Sequence, residues 1–225
     1  MFARFDRMAK AFTRLGREIA VAVKSGGPDP SYNPRLRLAI QNAKGVNMPK
    51  DRIEAAIKRA SEKGQGDFEE ILYEAYGPHG IALMVECTSD NVNRTVANIR
   101  HILKSGNGTL ATSGSVAFLF ERKGVFRLPS MDVSNPEELE LDLIDHGLEE
   151  FEQDEEDVVM YASFDAFGTL QKALEERTLT PKSAELEYLP TARKELAEEQ
   201  AKEVLDLVES LEADDDVKTV SHNLQ

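Results

Sequence analysis

Residues 33–60, N-P-R-L-R-L-A-I-Q-N-A-K-G-V-N-M-P-K-D-R-I-E-A-A-I-K-R-A, constrain the fold more than any other stretch of the chain. They read as two helices joined by a sharp turn. Asn33 stands at an N-cap, and Pro34 at the first helical position, where a missing N–H costs nothing. Gly45 falls where a left-handed residue would end the first helix, and Pro49 opens the second. Leu36, Ala39, Ile40 and Ala43 share one face, as do Ile53, Ala56, Ile57 and Ala60. Two apolar stripes this short need a third partner. Residues 5–24 supply it, with Met8, Phe12, Leu15, Ile19, Ala22 and Val23 at helical spacing.

The polar faces of these helices are cationic. Arg7, Lys10, Arg14, Arg17 and Lys24 recur on the side of the first helix opposite its apolar stripe. Arg35, Arg37 and Lys44 flank the second helix, and Lys50, Arg52, Lys58 and Arg59 the third. An ordinary solvated helix bundle also carries such residues, so the charge balance matters. Residues 1–60 hold thirteen Lys and Arg against five Asp and Glu, whereas the rest of the chain holds fourteen against thirty-six. Asymmetry of this kind points to a polyanion-binding end on an acidic body. These twelve cations are the expected phosphate contacts, and such contacts position a protein without reading sequence. A basic amphipathic helix lying on a membrane is the competing reading for residues 5–24, but their apolar face is needed to close the three-helix unit.

After the polar run Ser61–Asp67, which reads as a linker, the hydrophobic period changes from 3.6 to 2. Strands are expected at 71–76, 81–87 and 115–121, with a helix carrying Val96, Ile99, Ile102 and Leu103 between the last two. Residues 125–190 then spell β-α-β-β-α-β: strands at 125–128, around Phe151, at 158–161 and at 184–188. The two helices carry Leu139, Leu143, Ile144 and Leu148, and Phe164, Phe167, Leu170 and Leu174. That order is ferredoxin-like. A C-terminal helix bearing Ala197, Ala201, Val204, Leu205, Val208 and Leu211, and a strand at 217–224, complete the interrupted unit before it.

The expected architecture is therefore α+β: an N-terminal three-helix domain followed by two ferredoxin-like α/β domains, one inserted into the other. The boundaries read as 1–62, then 67–124 with 191–225, then 125–190.

Enzyme chemistry is not advertised. His79, His101, His146 and His222 lack partners at ligand spacing, and the single Cys87 lies in a buried strand pattern. The glycines at 106–108 and 114 follow a helix end and do not open one, the reverse of a phosphate loop. No cofactor, metal or small-molecule substrate is expected. There is no run of 18 apolar residues, and the start Met1-Phe2-Ala3-Arg4 lacks a signal-peptide apolar stretch, so the expectation is a cytoplasmic protein without a membrane partner.

Several motifs resemble the YebC/PmpR family: Asn33-Pro34-Arg35-Leu36-Arg37, Asn47-Met48-Pro49-Lys50-Asp51 with Ile57-Lys58-Arg59, Tyr76-Gly77-Pro78 with Gly80, Asp90-Asn91 with Asn93-Arg94-Thr95, and Gly114-Ser115-Val116. The resemblance implies a helical N-terminal domain and two α/β domains. It also implies a cytoplasmic, non-catalytic regulator that binds DNA, or a translation factor acting on ribosomal or transfer RNA to relieve stalling, as mitochondrial and some bacterial members are described. Family members usually begin with a further basic segment; here eleven residues precede Phe12.

Overall fold

The computed structural model describes residues 2–62 and 68–225, with side chains of the first helix described from Met8 onward. Most of the polar run at 61–67 thus lies outside the described residues.

Three helices come first: α1 (Phe2–Gly26), α2 (Pro34–Gly45) and α3 (Lys50–Ser61). Asn33 caps α2 as its sequence position requires, its Oδ1 accepting from the Leu36 N–H at 3.0 Å. Its Nδ2 donates to the carbonyls of Ala22 and Gly27, tying the end of α1 to the start of α2. Leu15, Ile19, Ala22 and Val23 of α1 pack with Leu36, Ala39, Ala43, Ile53 and Ala60 in one buried core.

Gly45 does something other than its expected left-handed turn. It is the last residue of α2, and the positive φ falls on Asn47 instead. A Cβ on Gly45 would lie 1.8 Å from the carbonyl oxygen of Lys182. The glycine is required by close approach of α2 to the acidic part of the chain.

The first sheet has the order β3-β1-β2-β8, all antiparallel, from β1 (Glu69–Tyr76), β2 (Ala82–Ser89), β3 (Thr109–Leu110) and β8 (Val217–His222). Helices α4 (Val92–Ser105) and α7 (Glu198–Glu212) cover one face, burying Ile99, Leu103, Val204, Leu207 and Leu211 against Leu83, Val85 and Val217. The layout is ferredoxin-like, except that the strand in its third position, β1, comes first in the chain.

The second sheet has the order β5-β6-β4-β7, the ordinary ferredoxin-like arrangement. Its elements are β4 (Phe120–Pro129), α5 (Pro136–Ile144), β5 (Leu148–Gln153), β6 (Asp157–Ser163), α6 (Phe167–Glu176) and β7 (Ser183–Pro190). Phe126 stacks on Phe167 at 4.8 Å between ring centroids, inside a core with Leu128, Leu143, Met160 and Leu170. The chain is thus α+β, helical at its N-terminus, with two four-stranded antiparallel sheets.

Two local expectations are overturned. The separate strands at 115–121 and 125–128 are one ten-residue strand, β4, preceded by a 3-10 turn at Ala117–Leu119. The cause is Glu74, whose carboxylate accepts from the N–H groups of Gly114, Val116 and Ala117 at 2.6, 2.7 and 3.0 Å. It gathers the chain into a loop and leaves Phe118 73% exposed. Leu148 and Phe164 also fall outside their expected helices. Leu148 opens β5 after a turn at Gly147 (φ 89°), and Phe164 precedes α6 in a turn.

Candidate nucleic-acid interface

Of the twelve cations read from the sequence, ten part into three groups. Arg14, Arg17 and Arg35 turn toward the acidic body. Arg14 donates to the carbonyl of Glu212. Arg17 donates to the carbonyls of Thr88 and Asp215 and to Asp216 Oδ1, the last at 2.8 Å. Arg35 pairs with Glu70 on β1. The ridge on α1 opposite its apolar stripe therefore faces protein over part of its length.

A second group is used within the helical region. Arg37 donates to the carbonyls of Pro30 and Ser31, holding the loop before α2. Lys50 lies 3.6 Å from Glu54, both exposed, a pair of little energetic weight. Arg52 lies over the ring of Phe12, 5.6 Å from its centroid.

The third group comprises Lys10, Lys44, Lys58 and Arg59, whose side chains have no hydrogen-bond or ion-pair partner among the described residues. Lys44, Lys58 and Arg59 are exposed, and so is Lys24. Arg7 lies in α1, but its side chain falls outside the described residues.

Between α1 and α3 runs a groove of about 490 Å³. Ala9, Gly16 and Ala20 of α1 and Ala55, Ala56 and Ala60 of α3 form its floor; Phe12 and Phe68 stand in its walls; Arg17, Lys24, Arg52 and Arg59 edge it. Among the described residues no carboxylate lines it. Arg17 lies over Phe68 at 5.5 Å, so each wall carries an arginine–aromatic pair. Sequence reasoning missed this groove. The small residues looked like ordinary helix filling, and Phe68 follows the linker, far from Phe12 in the chain.

A larger groove of about 740 Å³ lies where the helices meet both sheets. Arg122 there lies over Phe164 and Tyr188, at 5.1 and 5.6 Å, a second site that the sequence did not single out. Glu18, Glu70, Glu86 and Glu185 also line it, with Lys218, whose Nζ lies 2.9 Å from Glu18. Burial raises the carboxyls of Glu86 and Glu185, partly offset by Lys218. Burial would lower Lys218, but the charges of Glu18 and Glu185 outweigh it and hold its pKa high. A polyanion would meet four carboxylates in this groove and, among the described residues, none between α1 and α3.

Burial pushes the Cys87 thiol up to about 12, away from a nucleophilic thiolate. Among the described residues no group of three or more His, Cys, Asp or Glu could hold a metal ion, and no helix is long and apolar enough to cross a membrane.

Residues 1–63 match the family model for the TACO1/YebC protein N-terminal domain, and residues 68–224 that for the TACO1/YebC second and third domain. The chain belongs to the TACO1/YebC family. Among its relatives, a protein of Anaeromyxobacter dehalogenans is 55% identical over 100% of this chain and 95% of its own length. One of Myxococcus xanthus is 52% identical over 100% and 95%, and one of Flavobacterium psychrophilum 51% identical over 99% and 94%. All three are named "probable transcriptional regulatory protein". The crystal structure of a conserved hypothetical protein from Aquifex aeolicus superposes with a TM-score of 0.86 at 40% identity, covering 96% of this chain and 90% of that one. The fold of this TACO1/YebC chain is that of a solved relative.

Proposed function

We propose that this TACO1/YebC protein is a non-catalytic regulator of gene expression that binds nucleic acid through the exposed side of α1 and α3. The observation that carries the reading is charge segregation. Cations outnumber anions thirteen to five in residues 1–60, while anions prevail thirty-six to fourteen in the remainder. Lys58 and Arg59 stay exposed, with no ion pair among the described residues, and Arg59 stands at the edge of the α1–α3 groove, where no described residue brings a carboxylate. A polyanion approaching the acidic body is repelled, and one approaching α3 is drawn in. The names of the relatives favour DNA as the target.

A second reading, a factor bound to ribosomal or transfer RNA, is favoured by the apolar floor and aromatic walls of the α1–α3 groove. Duplex DNA keeps its base faces stacked on each other and offers no free aromatic face to set against them. Affinity measured against salt tests the shared claim: log Kobs should fall linearly with log salt, by about 0.7–0.9 per phosphate contact. A salt-independent affinity for both duplex DNA and RNA would refute it. Sedimentation of the native protein with ribosomes, against recovery on chromosomal DNA, separates the two targets and the cytoplasmic sites where each is met.

A further inference from the structure

The geometry points to the α1–α3 groove as a seat for an unpaired RNA segment, one base resting on the apolar floor and the flanking phosphates on the cationic edge. This inference rests on the nucleic-acid reading above and adds the kind of strand.

Four observations carry it. The groove is concave and about 490 Å³ in volume, within the usual range of pockets that take small organic groups. Its helix-borne lining is mostly alanine and glycine, with Thr13 and Met48, so a flat aromatic ring can approach the helix backbones closely. Its walls are Phe12 and Phe68, each paired with an arginine plane, and bases stack on both kinds of surface. Its edge carries Arg52 and Arg59 and, among the described residues, no acid, complementary to a phosphate on either side of the seated base.

A duplex keeps its bases stacked on each other and presents phosphates and groove edges only. It could meet Arg59 and Lys58, but would leave the floor empty. An acidic peptide would satisfy the edge without using the aromatic walls. In a cell, unpaired bases splayed for recognition are chiefly a property of RNA loops and ends, which makes RNA the source.

Gly16 provides a test that leaves every charge in place. It lies in the floor, in the middle of α1, and a Cβ there meets nothing within 4 Å. Gly16→Leu fills the groove from the α1 side, and Ala55→Leu, at an exposed position, fills it from α3. Both full-length variants should keep the far-ultraviolet dichroism and melting cooperativity of the parent.

Binding is followed by fluorescence anisotropy with an unpaired RNA of about 12 nucleotides, a duplex RNA with as many phosphates, and a polyglutamate peptide. Each filling substitution should weaken the unpaired RNA by about tenfold or more, the scale of one lost stacked base, and shift the duplex by less than about twofold. If the duplex binds and neither substitution affects the unpaired strand selectively, the groove assignment falls while the nucleic-acid reading stands. If no nucleic acid binds, both fall. If polyglutamate binds with the same sensitivity to Gly16→Leu and RNA does not, the groove is a peptide site and the proposal is wrong. In ultraviolet-crosslinked cells, the label lost on Gly16→Leu should be removed by ribonuclease; removal by deoxyribonuclease instead overturns the RNA source.

Discussion

Arg17 of α1 reaches across to Asp216, just before β8, and meets its carboxylate at 2.8 Å. Asp216 is 3% exposed, and it also accepts from Thr95 Oγ1 at 2.7 Å, Ser89 Oγ at 3.1 Å and Arg94. One buried carboxylate thus joins the helical region to the end of β2, the first turn of α4 and the start of β8. Burial pushes its pKa up, but the hydrogen bonds from Thr95, Arg94 and Ser89 and the charge of Arg17 together hold it below the usual carboxylate range.

Asp216→Asn keeps the shape and removes the charge, leaving two guanidinium groups without their shared counterion. The expected cost at neutral pH is about 3 kcal/mol in urea unfolding. A carboxyl whose folded pKa is depressed contributes stability that is present above its unfolded value and lost as pH falls through the folded one. The gap between parent and Asp216→Asn should therefore be full above about pH 4 and close in stronger acid. A gap that does not change with pH would show that the charge is immaterial.

Glu74 makes a parallel case within one loop. It is 6% exposed, and its acceptors face three backbone N–H groups. Burial would raise its carboxyl, yet the hydrogen bonds from Val116, Gly114 and Ala117 win and lower it. Glu74→Gln replaces one acceptor oxygen by a donor pointed at donors. A loss of about 2 kcal/mol is expected, with faster amide exchange at 114–117 and little change in α1–α3. Uniform exchange across the chain would argue against a local role.

Glu185 should behave in the opposite sense. Burial raises its carboxyl, and Glu18 adds to the effect, against the opposing charge of Lys218. A raised folded pKa favours folding most below the unfolded value, and that contribution is lost as pH rises through the folded value. Glu185→Gln is therefore expected to stabilise the protein at pH 8, by up to about 1 kcal/mol, and to make no difference near pH 4. Lys218 keeps Glu18 at 2.9 Å in this variant, so the neighbouring pair survives. Destabilisation at pH 8 would mean that Glu185 is needed as a partner of Lys218.

Asn42 illustrates what helical periodicity does and does not reveal. It sits in α2 beside Ala39 and Ala43, and nothing in its spacing marks it out. In the structure it is 4% exposed and forms a two-way bridge to Ala184 of β7: Nδ2 donates to the carbonyl, and Oδ1 accepts from the N–H, both at 3.0 Å. Asn42→Ala should cost about 2–3 kcal/mol, because two buried backbone groups lose their partners, and should loosen α2 from β7 in hydrogen exchange. An unchanged exchange pattern in β7 would refute the bridge as a fastener.

The same limit explains which parts of the interface were legible. Spacing tells which residues share a helix face, and so it gave the apolar stripes of α1–α3 and the β-α-β-β-α-β order from β4 to β7. It does not tell what the opposite face meets. Arg14, Arg17 and Arg35 therefore read like Lys58 and Arg59, although the first three meet the Glu212 carbonyl, Asp216 and Glu70. Gly45 was legible as a special position but not for its reason, since the Lys182 carbonyl that excludes a side chain comes from the far end of the chain. Glu74 belongs with these: one acidic residue in a strand gives no sign that it will collect the N–H groups of a loop forty residues on.

The electrostatic reading of α3 yields a prediction with its own control. Lys58 and Arg59 are exposed and carry no ion pair among the described residues, so reversing both to Glu disturbs no contact that holds the fold. Both lie in the last turn of α3, and Lys58 is four residues from Glu54, so stability should fall by about 1 kcal/mol through the helix dipole and like-charge repulsion, leaving the protein folded. If each contacts one phosphate, the log–log salt slope for an RNA strand should shrink by about 0.7 per residue, with affinity at low salt falling by more than tenfold. Lys172→Glu on α6 removes an exposed cation of the acidic body, 3.7 Å from Glu176. It changes the net charge of the protein by the same two units as one reversal on α3, so a general charge effect would weaken binding equally in either place. Binding through α3 predicts no change in slope for Lys172→Glu and a reduced slope for Lys58→Glu with Arg59→Glu. Equal losses per reversal would mean that the polyanion senses the whole molecule and has no docking face.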